Sequence, residues 1–160
     1  MTMGWLRRLM GREEPRPLGL SPDQLAEALT RWREENEYAW WLNDSLDAVS
    51  RAVQQQMGLI RETRVAVAVR QKRDVREADR ARLVEGFDRL LAVLEAAREG
   101  RPADRELWPG HSGRRFLEAV DSLGQGALKA RAEFSAGAIA SAHEGFKGTV
   151  EDWLFASVPL

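Results

Sequence analysis

Polar and apolar positions alternate by steps of four and three over a long stretch: Leu25, Leu29, Trp32, Asn36, Ala39, Asn43, Leu46, Ser50, Val53, Met57 and Ile60. That spacing places the series on one side of a single helix, as a heptad seam of the kind that pairs with a second helix. Asn36, Asn43 and Ser50 share one core position, where a buried Asn favours a defined register and oligomer state at some cost in stability. The pattern therefore predicts paired helices in a homodimer, with Leu25, Leu29, Trp32, Asn36, Asn43, Leu46, Val53, Met57 and Ile60 as oligomerisation contacts. A long helix in a monomeric antiparallel bundle has the same spacing, so pairing within one chain or between two stays open at this point. Tyr38, Trp40 and Trp41 lie off the seam. They predict a second buried face or, for Tyr38 and Trp41, an aromatic contact with a partner.

The helix start is encoded locally. Ser21-Pro22-Asp23-Gln24 supplies an N-cap, a proline at the first helical position, an early acid and a Gln able to close a capping box. Upstream, Pro15 and Pro17 make 13–21 a linker. Residues 1–12 form a short basic amphipathic segment in which Trp5, Leu6 and Leu9 stand beside Arg7 and Arg8. These five are candidate membrane-surface residues, with the apolar side chains at the headgroup boundary and the arginines on anionic lipid. The segment is too short to span a bilayer and has no cleavage site of a secretory signal.

Downstream, Arg64 to Arg70 reads RVAVAVR, which alternates like a strand but lies between helical flanks. The expectation is continuous helix over 22–99, forming a hairpin or coiled coil and bent near Gly58. Leu83, Phe87, Leu90, Leu94 and Ala97 mark an inward face that ends at Gly100 and Pro102. Residues 100–113 read as a loop. A C-terminal helical region fills 114–160, facing inward with Phe116, Val120, Leu123, Ala127 and Phe134. Gly137, Gly145 and Gly148 weaken its later part. The fold class is all-α, with long heptad-patterned helices in a helical bundle or coiled coil.

Composition removes several functions. In 160 residues, 24 Lys and Arg against 25 Asp and Glu leave a net charge of −1, which does not suit a generic nucleic-acid coat. Without cysteine there is no disulfide framework, thiolate metal site or cysteine nucleophile, and the cytoplasm is the expected compartment. No phosphate-binding loop, dinucleotide fingerprint, nucleophile elbow or H-E-x-x-H helix occurs, so neither catalysis nor a cofactor is expected. Charge is uneven along the chain. Seven acids and two arginines lie in 23–47, whereas eight cations and four acids lie in 61–82. The basic stretch gives one alternative reading, a nucleic-acid-associated accessory protein. The N-terminal segment gives another, a helical adaptor or scaffold on the inner membrane face. Of these partners a protein is expected before nucleic acid, because acids interrupt the basic stretch and stacking aromatics are missing from it.

Three separated features resemble the GrpE family of nucleotide exchange factors. Lys72-Arg73, followed by Leu90-Leu91-Ala92-Val93-Leu94-Glu95, is similar to the family's long helix with its K-R pair and L-L-P-V-L-D stretch. His143-Glu144 resembles its H-E-A-V, and Gly148-Thr149-Val150-Glu151 resembles the G-T-V-x that follows. The resemblance covers residues 60–155. It implies a homodimer of long paired helices that binds an Hsp70 chaperone and promotes ADP release without being an enzyme. His143 and Glu144 join Tyr38 and Trp41 as candidate partner-binding residues. The sequence thus predicts a non-enzymatic helical protein-protein interaction protein, most specifically a GrpE-like cochaperone.

Overall fold

The computed structural model describes residues 19–102 and 111–157, and the fold class read from the sequence holds: every regular element among them is a helix. In chain order these are α1 (Pro22–Glu62), α2 (Val65–Arg70), α3 (Glu77–Glu99), α4 (His111–Ala136) and α5 (Ile139–Ser157). None is long and apolar enough to cross a membrane. The chain divides into two units, Met1–Glu37 and Tyr38–Leu160.

In the first unit the predicted capping box forms. The Ser21 Oγ accepts from the Gln24 amide at 3.2 Å, and the Gln24 Oε1 accepts from the Ser21 amide at 2.9 Å. Leu25, Leu29, Trp32 and Asn36 are half-buried. Asn36 donates its side-chain N–H to the Trp32 carbonyl one turn back, at 2.8 Å, so its amide is satisfied within its own helix. The membrane-surface residues Trp5, Leu6, Arg7, Arg8 and Leu9 lie outside the described residues.

The second unit is an up-down-up-down bundle. Trp41 meets Ala97 and Gln56 meets Leu83, which sets α1 and α3 antiparallel. Arg98 meets Asp121 and Arg131 meets Asp88, which sets α4 antiparallel to α3. Phe116 packs on Trp153 near the start of α4 and the end of α5, which reverses the chain once more. Phe87, Phe116, Phe134 and Phe146 are fully buried at the centre. The Phe87 ring meets Phe146 edge-on at 4.9 Å and stacks on Phe134 at 5.8 Å. Each such burial contributes about 1.5–3 kcal/mol. The faces expected on α3 and α4 are all inside, including Leu83, Leu94, Val120 and Ala127.

Two close approaches set the helix spacing. At Gly86 the Gln56 amide lies over the α3 backbone and donates to the Leu83 carbonyl at 3.1 Å; a methyl group on Gly86 would overlap it. At Gly126 the Thr149 side chain fills the same role between α4 and α5.

Several expectations are corrected. Helix does not run unbroken over 22–99. Gly58 lies inside α1, and the break comes at Thr63–Arg64, where Arg64 turns left-handed with φ 55°. RVAVAVR is helix, since burial of Val65 and Ala68 outweighs the strand preference of its valines. A six-residue turn, 71–76, then separates α2 from α3. Residues 114–160 hold two helices parted at Gly137, and α4 begins at His111, inside the segment read as loop.

The buried line of α1 also differs from the predicted seam. Leu42, Val49 and Gln56 are buried where Asn43, Ser50 and Met57 were expected. A shift of one residue turns the buried face by about 100°. Val53 and Ile60 stay inside, Leu46 and Met57 flank the core, and Asn43 is exposed.

Candidate functional site

The bundle has two chemically different ends. At one end are the first turns of α1 in this unit, the end of α3, the start of α4 and the end of α5. Trp41 is 8% exposed, and its indole donates to the Ala97 carbonyl at 2.8 Å. Its ring meets Phe116 edge-on at 5.6 Å. Trp41 is therefore core, which corrects its reading as a partner contact. Tyr38 is half-buried against Trp41 at 5.5 Å, with its hydroxyl over Gly113. The exposed aromatic on this turn is Trp40, at 53%, which the sequence grouped with Tyr38 and Trp41 on a second buried face. Nearby in the bundle, the last turns of α5 expose Leu154 at 55% and Phe155 at 86%.

The other end gathers the end of α1, all of α2, the 71–76 turn, the first turns of α3 and the α4–α5 junction. Three helices here stop on a left-handed residue: Arg64, Lys72 and Gly137. The turn after α2 satisfies its carbonyls by a Schellman pattern. Arg73 N–H reaches the Ala68 carbonyl at 3.0 Å and Lys72 N–H the Val69 carbonyl at 3.1 Å. After α4 the same pattern recurs, with Ala138 N–H on Glu133 at 2.8 Å and Gly137 N–H on Phe134 at 3.2 Å. At that position α4 uses glycine and α2 uses lysine. The left-handed region costs an L-residue about 1–2 kcal/mol, so Lys72 and Arg64 sit where glycine would be cheaper.

Charge at this end is unbalanced. Arg82 binds both Glu62, at 3.5 Å, and Asp79, at 4.0 Å. Arg61, Arg64, Arg70, Lys72, Arg73, Arg76 and Arg80 make no side-chain ion pair or hydrogen bond among the described residues. A groove of about 440 Å³ runs between the Lys72-Arg73-Asp74 turn and Gly137–Ser141. Away from this end two cations pair across helices, Arg98 with Asp121 at 2.8 Å and Arg131 with Asp88 at 2.6 Å. The Arg131 hydrogen bond holds the Asp88 carboxyl below its usual range, and Asp88 in turn raises Arg131.

The remaining candidates are scattered. His143 lies on α5, with Nδ1 buried, without a hydrogen bond and 3.6 Å from the Glu144 carboxylate. Among the described residues no three potential ligands converge on a metal position. Lys72-Arg73 lies in a turn rather than on a long helix, whereas Leu90 and Leu94 are core residues of α3. Thr149 donates to the Gly145 carbonyl at 3.0 Å and packs on Gly126, so that motif has a structural task in α5. Two further open grooves have mixed linings: one of about 330 Å³ between α4 and α5, with Arg115, Glu118 and Asp152 beside Leu123 and Trp153, and one of about 380 Å³ between α1 and α3, with Glu62 and Arg89 beside Leu59 and Leu90. The buried Gln56 and the cationic left-handed turns were missed in the sequence. Gln56 falls at heptad spacing from Val49, and that spacing was its only signal.

Compared with protein-family models, curated proteins and solved structures, the chain matches none.

Proposed function

We propose that this chain is a non-enzymatic helical interaction protein whose bundle presents surfaces to partners. The observation that carries this reading is the exposure of Phe155, at 86%, and Leu154, at 55%, beside a core whose other phenylalanines are fully buried. Apolar side chains of that size gain about 1.5–3 kcal/mol each on leaving water, so a partner covering them gains affinity.

The sharpest version is a GrpE-like cochaperone acting in the cytoplasm as a homodimer. Its support is the resemblance at Lys72-Arg73, Leu90–Glu95, His143-Glu144 and Gly148–Glu151. The half-buried flank of α1 at Leu46, Ser50 and Met57 is the surface such pairing would extend. The test is release of fluorescent ADP from an Hsp70 nucleotide-binding domain, with solution mass measured by light scattering on the same sample. Accelerated release by a dimer is expected. A monomer that leaves the release rate unchanged at saturation overturns the cochaperone version.

A further inference from the structure

We propose that the basic end of the bundle binds the phosphate backbone of double-stranded nucleic acid without regard to base sequence. This surface is separate from Leu154 and Phe155, and the proposal does not depend on the cochaperone reading.

The sequence alone argued against such binding, because four acids interrupt the eight cations of 61–82. Folding leaves the net charge of that stretch at +4, eight cations less four acids, but gathers the acids unevenly. Glu62 and Asp79 both lie beside Arg82, at 3.5 and 4.0 Å, so six exposed cations and the half-buried Arg80 share the rest of this surface with only Asp74 and Glu77. The α4–α5 junction beside them adds no carboxylate in the first turn of α5. Arg64 and Lys72 hold left-handed positions at a conformational cost that glycine avoids, which is the outcome expected if their charge is what the turns are built to present.

The uncharged surroundings select the partner. Between residues 61 and 82 the exposed uncharged side chains are Ala66, Gln71, Ala78 and Ala81, while the valines are buried or half-buried. Without exposed aromatic or large aliphatic residues, this end has no anchor for a protein hot spot or for insertion among lipid chains. A polar, strongly cationic surface is the composition of a nucleic-acid interface. The same lack of aromatics removes the stacking platform that single strands need, which leaves the duplex backbone. Six of the seven free cations are arginines, whose planar fork pairs with phosphate in two-point geometry.

The test is fluorescence anisotropy of a 24-base-pair duplex of mixed sequence titrated with the full chain at about 50 mM and about 150 mM salt. Binding in the range of about 1–100 μM is expected, weakening steeply with salt and independent of duplex sequence. The triple variant Arg70→Gln, Lys72→Gln, Arg73→Gln should lose at least ~10-fold in affinity and flatten the salt slope. The control triple Arg89→Gln, Arg114→Gln, Arg115→Gln changes net charge equally but lies away from this end, and should bind as the parent does. Asp74→Asn, which removes a competing carboxylate, should bind more tightly. Circular dichroism confirms that each variant is folded. No binding at low salt, equal losses in both triples, or tighter binding to single strands or phosphatidylserine vesicles than to duplex overturns the proposal.

Discussion

The end of the bundle built around Trp41 and Phe116 and the end built around α2 solve opposite problems. At the first, aromatic rings interlock, and the Trp41 indole reaches a backbone carbonyl across the helix pair. Stability there comes from burial. At the second, short elements meet in left-handed turns, and cations occupy positions where glycine would cost less. The difference teaches that local stability was not what shaped the second end. Its side chains are arranged outward, and its fold rests on Val65, Ala68 and Val75 beneath them.

Substitutions can break this comparison, and the largest effect belongs to the aromatic end. Phe116→Ala empties a fully buried site between Trp41 and Trp153 and should cost about 3–5 kcal/mol in guanidinium unfolding. Neutralising Arg70 and Arg73 at the basic end should change stability by no more than about 0.5 kcal/mol per site. If the two changes cost the same, the division between the ends is wrong.

Next come the helix contacts between the two ends. Gly86→Ala drives a methyl group into the Gln56 amide and should cost about 1–3 kcal/mol, as should Gly126→Ala against Thr149. Thermal unfolding checks both. Gly58→Ala, at a helical position where a methyl group meets open space, should instead stabilise slightly.

Smaller effects sharpen the reading of the turns. Arg64→Gly and Lys72→Gly should each stabilise the fold by about 1 kcal/mol, since they relieve left-handed strain and remove no ion pair. At the matching turn Gly137→Ala, with φ 86° in the parent, should destabilise by about 1 kcal/mol or more. Opposite signs at equivalent positions, read from urea midpoints, are the expected result.

The smallest effect is a pH dependence. Arg131 holds the Asp88 carboxyl below its ordinary value in the folded chain. The unfolded chain therefore binds more protons as the pH falls, and the pair's contribution is complete above about pH 4 and is lost on acidification through the folded value. Asp88→Asn should lower the neutral-pH midpoint slightly, leave the midpoint at the acid limit unchanged, and so flatten this part of the acid response. A variant with the parent's acid profile would show that the pair carries none of it.

Much of the fold was legible. The capping box at Ser21–Gln24, the inward faces of α3 and α4, and the stop at Gly100 all follow from residue types at fixed spacing. The break at Thr63–Arg64 was not, because neither residue is a turn former and the conformational cost at Arg64 is offset by burial of Val65 and Ala68. The register of α1 was ambiguous for a related reason. Steps of four and three fit two neighbouring lines, and the decision for Leu42, Val49 and Gln56 depends on α3, where Gly86 leaves room for an amide. Glycines in α5 suggested a weak helix, yet Ile139, Ala142, Phe146, Val150 and Trp153 supply a buried line strong enough to hold it. As for the candidate site, the surplus of cations in 61–82 was visible in sequence, whereas their gathering at one end and their lack of partners depend on the fold.

The central claim, that the turns at the basic end hold cations for contact rather than for folding, is tested most directly by titrating duplex with the double variant Arg64→Gly, Lys72→Gly. The account predicts a chain that unfolds at higher urea than its parent yet binds the duplex roughly tenfold more weakly. A more stable variant with unchanged affinity, or one that is less stable, would contradict it.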